Sequence, residues 1–247
     1  MPLDPGPTRR ALLDAAIRLF ALRGVDVVSQ AEIVRAAGQR NTAALVYHFG
    51  GRDGLLEALV DEHLTRIRNR RLDLLARAVA ATTTEVRPIV EASVLPFAEM
   101  VDGDWRDRAY LQIHADLTDD PAWSTADIEE QLRRSGASEV REELARRTPH
   151  LPADLRAERA MLLAALVVRV TSARARAIGR GRGAELALPH RLFVANLVDA
   201  AVAVMTAPVG PETAALTTGP TSGPADGPTS DDAATGPART SPEPQEQ

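Results

Sequence analysis

Residues 29–52 read SQAEIVRAAGQRNTAALVYHFGGR, and the fold of the chain turns on this stretch. Ser29 with Glu32 three positions later has the form of a capping box, which satisfies the free amides at the start of a helix carrying Ile33, Val34 and Ala37. Gly38 should stop that helix. A second short helix is expected to start near Asn41, carry Ala44, Leu45, Tyr47 and His48, and end at Gly50 and Gly51. Two helices this short bury too little apolar surface to persist alone, so the flanking segments must complete a core. The geometry is that of a helix-turn-helix, whose second helix can enter the major groove of DNA.

The flanks have the right pattern. From Thr8, Leu12, Ala16 and Phe20 repeat every fourth residue with Leu13, Ile17 and Leu19 beside them, and Gly24 ends the run. After Gly51, Arg52-Asp53-Gly54 opens a long helix with Leu56, Val60, Leu64 and Ile67 on one face, reaching about Ala81 before three threonines at 82–84. Residues 85–206 show only helical periodicity and no alternating β-branched run. Helices are expected at about 85–101, 104–118, 124–147, 153–179 and 189–206, with a kink at Pro96 and a split at Ser135-Gly136. The fold class is therefore all-α. Residues 1–7 are expected to be a flexible arm, 8–52 the helix-turn-helix domain, 53–206 a second helical domain, and 207–247, rich in Pro, Gly, Thr and Ser with little to bury, a disordered acidic tail.

The 247 residues, 45% of them hydrophobic, allow one or two domains. There is no cysteine, which excludes disulfides, thiolate nucleophiles and cysteine-bound zinc. The opening residues lack the apolar stretch of a signal peptide, and the longest charge-free apolar runs, such as 160–168, fall short of the ~18 residues that span a bilayer. The expectation is a soluble cytoplasmic protein without a membrane partner. The net charge of −5 is unevenly distributed: residues 1–71 carry +3, 72–206 carry −3 and 207–247 carry −5. All 29 basic residues are arginine; arginine suits bidentate phosphate contact, but a replacement along the whole chain marks no single site.

The residues TRRALLDAAIRLFALRGVDVVS followed by AEIVRAAGQRNTAALVYHFGGRDGLLEALV resemble the DNA-binding domain of the tetracycline-repressor-like (TetR) family of bacterial transcriptional regulators. The resemblance covers residues 8–64 and joins Arg9, Ala15, Ala16, Phe20, Gly24, Ile33, Ala37, Gly38, Tyr47, His48, Phe49, Leu55 and Leu56 in order. It implies an all-α homodimer whose first three helices bind a palindromic double-stranded operator, and whose C-terminal helical domain dimerises and often binds a small effector. Two departures stand out. The segment GQRNTAALVYHF is one residue longer than the commonest family pattern, and Val46 occupies the place of a frequent phosphate-contacting tyrosine, passing that contact to Tyr47 or losing it.

Arg40, Asn41, Thr42 and Ala43 are the candidates for base contact, since arginine can bridge guanine O6 and N7, asparagine can bridge adenine N6 and N7, and methyl groups can meet thymine. The plainer reading makes Asn41 a helix cap and Arg40 a solvated turn residue. Arg52 matches the family position that commonly carries a phosphate-binding Lys or Arg; Thr8, Arg9, Ser29, Tyr47 and His48 are further phosphate candidates, with His48 equally readable as a packed histidine. For an effector, Phe97, Met100, Trp105, Tyr110, His114, Trp123, Met161 and Arg169 are the candidate pocket, against the ordinary alternative that they are core. Leu163, Val167, Val170, Leu197, Ala201 and Val204 are the candidate dimer interface.

Enzyme readings are weak. The five histidines, at 48, 63, 114, 150 and 190, are dispersed, and neither HExxH nor G-x-S-x-G occurs. The GRGRG run at 179–183 follows a helix, unlike a phosphate loop. Asp119-Asp120-Pro121 reads as a helix break before it reads as a metal site. No cofactor and no metal are expected. The leading expectation is a dimeric DNA-binding repressor released by an apolar or amphipathic effector; the alternatives are a DNA-binding protein that senses nothing, or a helical enzyme or scaffold with a vestigial helix-turn-helix.

Overall fold

The computed structural model describes residues 6–81, 84–119 and 125–218. Pro7 opens the first helix, α1 (Pro7–Arg23), where its missing amide costs nothing. The expected flexible arm is thus shortened at its C-terminal end. Then come α2 (Gln30–Ala36), α3 (Ala43–Phe49), α4 (Arg52–Ala80), α5 (Arg87–Asp102), α6 (Trp105–Thr118), α7 (Thr125–Arg134), α8 (Ala137–Arg147), α9 (Ala153–Gly179) and α10 (His190–Thr206). No strand occurs among the described residues. The split at Ser135-Gly136 is made by Gly136 with φ of 71°, and α5 continues through Pro96. The GRGRG run leads from α9 into a short 3-10 turn at Gly183–Glu185.

These ten helices belong to one compact unit ending at Pro208. Within the stretch expected to be structureless, Pro211–Thr218 forms a further helix, α11, again opened by proline; the rest of that stretch lies outside the described residues. No single described helix is long and apolar enough to cross a membrane.

The core has a continuous apolar filling from end to end. Leu12, Ala16 and Phe20 of α1 meet Ile33 of α2, Leu45 of α3 and Leu55 and Leu59 of α4, all 0–1% exposed. Farther along α4, Ile67 joins Ile89, Val90 and Val94 of α5 and Leu111 and Ile113 of α6, on which α9 and α10 pack. Each such side chain contributes about 1.5–3 kcal/mol by leaving water. Gly54 marks the tightest approach: a Cβ there would sit 1.9 Å from the Phe49 carbonyl oxygen, so the end of α3 lies directly on the first turn of α4.

Polar side chains also enter this core. His63 of α4 stacks on Tyr110 of α6 (ring centroids 4.2 Å, interplanar 7°), Tyr110 lies against His114 (5.6 Å), and His114 against Phe97 (5.5 Å). His63 is fixed by a 2.9 Å hydrogen bond between Nδ1 and the Leu59 carbonyl. The Tyr110 hydroxyl is buried with no hydrogen-bond partner among the described residues. Burial lowers the pKa of His63, lowers that of His114 to about 4, and raises that of Tyr110.

Two outcomes follow for stability. Gly54→Ala should cost about 1–3 kcal/mol, measured by urea unfolding, because the close contact with Phe49 must open. His114 is neutral when folded, whereas the unfolded chain takes up a proton near pH 6.5; its contribution is complete above pH 6.5 and is lost as pH falls toward about 4. By pH 5 that loss is about 2 kcal/mol, and His114→Phe should flatten the acid limb of the stability profile.

Candidate nucleic-acid interface and ligand cavity

The turn between α2 and α3 follows from backbone chemistry. Both halves of the capping box form: the Ser29 amide donates to Glu32 Oε2 (2.9 Å) and the Glu32 amide to Ser29 Oγ (3.3 Å). Arg23 adds a 2.5 Å ion pair, and this bond, with those from Ser29, holds the Glu32 carboxyl down at about 2. At the other end, Gly38 takes φ of 71°, which lets its amide reach the Arg35 carbonyl (3.0 Å) and the Gln39 amide reach that of Val34 (2.9 Å), closing α2 as a Schellman motif. α3 begins at Ala43, two residues later than the sequence suggests, because the Asn41 side chain accepts from the Ala43 amide (3.0 Å) and holds an Asx turn ahead of it.

Leu45 anchors α3 in the core, and what remains outward is the surface available to a partner. Arg40, Asn41, Thr42 and Ala43 are all exposed, as are Val46 (51%) and Tyr47 (85%). His48 is half-buried, edge-on to both Tyr47 (5.0 Å) and Phe49 (6.3 Å). Thr8 and Arg9 are half-buried at the start of α1, with the Arg9 guanidinium 4.8 Å from the Phe49 ring centre. Ser29 is exposed, but its hydroxyl is engaged with Glu32.

Arg52, a candidate phosphate contact, is bonded within its own domain. Its Nε donates to the Val28 carbonyl (2.8 Å), its Nη2 to the Val25 carbonyl and its Nη1 to Asp53 (3.2 Å), while the guanidinium lies 5.4 Å from the Phe20 ring centre. All three nitrogens thus have partners within the chain, two of them backbone carbonyls of the α1–α2 loop and the third the exposed Asp53. The side chain ties the α1–α2 loop to the first turn of α4 instead of standing free for phosphate.

Below this region, the α6 N-terminus is clamped to its neighbours. Arg106 holds Asp14 of α1 through two bonds (2.8 and 2.7 Å), Arg18 of α1 lies 3.7 Å from the Trp105 ring centre, and Arg66 of α4 holds Asp107 (2.7 and 3.2 Å). Trp105 therefore belongs to the seam with α1 and not to a ligand pocket.

A cavity of about 270 Å³, open to solvent on one side, is lined by residues of α4–α9. Of the candidate pocket residues, Phe97, His114, Met161 and Arg169 line it. Met100 and Tyr110 do not; they are buried in packing contacts elsewhere. Trp123 lies outside the described residues. Arg71, Ser93, Val140 and Leu144 also line the cavity, and the sequence reading missed them. Arg71 in particular stands four residues after Ile67 and four before Leu75, on the buried face of α4, a spacing that marks it as inward-facing. A second, more polar cleft of about 280 Å³ lies between residues 23–27 and Asp116, Leu117 and Asp119 at the end of α6; Asp119 lines both spaces. Among the described residues no group of three or more His, Asp or Glu could hold a metal ion.

The candidate dimer residues differ in their burial within one chain. Leu163, Val167, Leu197 and Ala201 are 0–4% exposed within a single chain, and Val170 and Val204 are half-buried. The large apolar side chains that α9 and α10 leave in water are Met161 (47%), Leu162 (53%) and Leu192 (54%).

Residues 12–59 match the family described as bacterial regulatory proteins, tetR family. Over 115 residues the chain is 34% identical to the HTH-type transcriptional regulator BetI of Brucella suis biovar 1 (strain 1330), a match taking in 45% of this chain and 55% of that protein. The chain thus spans about half the length of the curated relative it matches. Among solved structures, AmtR of Mycobacterium smegmatis superimposes with a TM-score of 0.51 at 21% identity, over 83% of this chain and 88% of that one. At that identity the likeness is one of fold.

The position of Arg52 makes a test of its role straightforward. Arg52→Met should lower stability by about 1–3 kcal/mol in chemical denaturation, since two largely buried carbonyls lose their donor. Arg40→Ala, at an exposed position, should leave the denaturation midpoint unchanged. Equal midpoints for both variants would show that Arg52 does not hold the loop.

Proposed function

We propose that this chain, whose residues 12–59 match the tetR family of bacterial regulatory proteins, is a homodimeric, cytoplasmic repressor that a small molecule releases from its operator. The observation that carries DNA recognition is the outward surface formed by α3 and the turn that leads into it. Arg40, Asn41 and Thr42 in that turn and Ala43 at the start of α3 stand exposed, the other face of the helix is locked by Leu45, and apart from the Asn41 turn none of their side chains has a bond to another described residue. Those four residues are assigned to base edges. Thr8, Arg9, Tyr47 and His48 border them and are assigned to phosphate. Tyr47 takes the contact that Val46 cannot make.

Dimerisation is assigned to the exposed faces of α9 and α10. A second copy would cover Leu162 and Leu192, apolar residues that fill no part of their own core. Two recognition helices related by such an axis meet successive major-groove faces, so the operator is near-palindromic with half-sites about 34–36 Å apart.

The cavity supports effector sensing because α4 runs without interruption from Arg52 to its wall. At ~1.5 Å per residue, the 19 positions from Arg52 to Arg71 span about 28 Å. A ligand that prefers one tilt of α4 changes operator affinity by its differential binding, typically ~1–3 kcal/mol, and operator DNA weakens that ligand by the same factor.

Selection of bound sequences from genomic DNA, followed by fluorescence anisotropy, tests the reading. The unsubstituted chain should enrich one palindromic motif. Arg40→Ala should relax preference at one or two base pairs at a cost of ~1–3 kcal/mol if it reads guanine. Tyr47→Phe should weaken all sequences alike. Binding without sequence preference, or an Arg40→Ala profile identical to that of the unsubstituted chain, would overturn the assignment.

A further inference from the structure

Arg71 is 5% exposed, sits in the wall of the cavity, and is the point from which its chemistry can be read. Its Nε donates to the Ala92 carbonyl (3.3 Å) and its Nη1 to the Ser135 carbonyl (2.6 Å). Nη2 makes no hydrogen bond to any described residue. No described carboxylate lies within ion-pair distance of the guanidinium. Glu139, which acts on it through space, is held instead by Arg68 (2.9 Å) and Ser138 (2.8 Å). Desolvation lowers the pKa of Arg71 to about 10, which leaves it charged at neutral pH. A buried cation therefore stands beside an empty space with no ion-pair partner among the described residues.

The other groups at the cavity do not supply one. His114 is uncharged at neutral pH because burial holds its pKa at about 4. At the exposed rim Arg169 is already neutralised by Asp119. The wall around Arg71 is apolar, formed by Phe97, Val140, Leu144, Leu163 and Val167. We infer that the cavity takes a small amphipathic carboxylate, its head on Arg71 and its alkyl chain along α8 and α9. This rests on the reading of the protein as an effector-controlled regulator and names the chemical class of the effector.

Three considerations select a carboxylate. The planar guanidinium fork matches a carboxylate, and a charge-assisted bond in an apolar wall is worth more than one in water. A phosphomonoester would bring nearly two negative charges against the one buried cation, since Arg141, which also lines the cavity, is exposed and Arg169 is paired with Asp119. Size matters as well: at the ~30 Å³ each water claims in the liquid, 270 Å³ holds about nine waters, which corresponds to a fatty acid of medium length. Because Arg71 is part of α4, an anion drawn to it acts directly on the helix whose first turn is tied to the helix-turn-helix by Arg52.

The experiment is calorimetric titration of the full chain with octanoate, octanol, octylamine and methyl octanoate. Octanoate should bind at least roughly tenfold tighter than octanol, and octylamine most weakly of the four. In Arg71→Gln, verified as folded by circular dichroism, that preference should shrink to about twofold while octanol affinity is retained. Should the variant not fold, carboxyl-labelled octanoate bound to the unsubstituted protein provides a second readout. Its carboxylate should protonate about one pH unit below the free acid, as expected beside a fixed cation. Octanol binding as tightly as octanoate, failure of all four compounds to bind, or a bound carboxylate that titrates like the free acid would overturn the inference. None of these outcomes touches operator binding; loss of sequence-specific DNA binding by the unsubstituted chain would instead overturn the regulator reading.

Discussion

Two helices of seven residues cannot persist in water, and the N-terminal region is built around that constraint. Ile33 and Leu45 sink completely into a seat made by Phe20, Leu12 and Leu55, so the helix-turn-helix borrows its stability from α1 and α4. The capping box, the left-handed Gly38 and the Asn41 turn then fix the direction in which each short helix leaves that seat. With the buried side of α3 fully committed, its outer side carries polar and apolar groups without disturbing the fold.

Arginine serves as the internal fastener of the molecule. Arg52 binds a loop, Arg106 and Arg66 pin the start of α6 to α1 and α4, and Arg70 holds Glu99 of α5 through bonds of 2.6 to 3.0 Å. An exposed pair of this kind contributes little, about 0–1 kcal/mol, but a bidentate fork also fixes orientation. Such a fork is better suited than a single ammonium to holding helices in register. Most arginines are thereby spent on the protein's own carboxylates and carbonyls. Against that background Arg40, exposed in the turn before α3, has no such partner among the described residues, and Arg71 is held by carbonyls alone.

Mechanical continuity links the two regions. α4 passes from Arg52, under the α1–α2 loop, past His63 in the aromatic stack to Arg71 in the cavity wall. α6 offers a parallel route, clamped to α1 at its start by Arg106 and bordering both the cavity and the polar cleft at its end through Asp119. Close-packed helices joined in this way shift as units, which is the property a two-state regulator requires.

The sequence by itself determined what is local. Helix positions followed from periodicity, the α2 cap from Ser29 and Glu32, the helix ends from Gly24, Gly38 and Gly50, and the break within 124–147 from Gly136, because each depends on residues a few positions apart. Tertiary structure decided the rest. Arg52 and Arg40 are equally basic on paper, yet one is consumed by two carbonyls from residues 24 and 27 positions earlier and the other stands in water. Phe97 and His114 border the cavity while Met100, Trp105 and Tyr110 do not, since membership depends on which faces of distant helices meet. For the same reason Leu163 and Val167 proved to be internal while Leu162 is exposed: an apolar stripe read along one helix does not say whether it faces its own core or another molecule. Periodicity records that a face is apolar, and only the packing of remote segments determines what covers it.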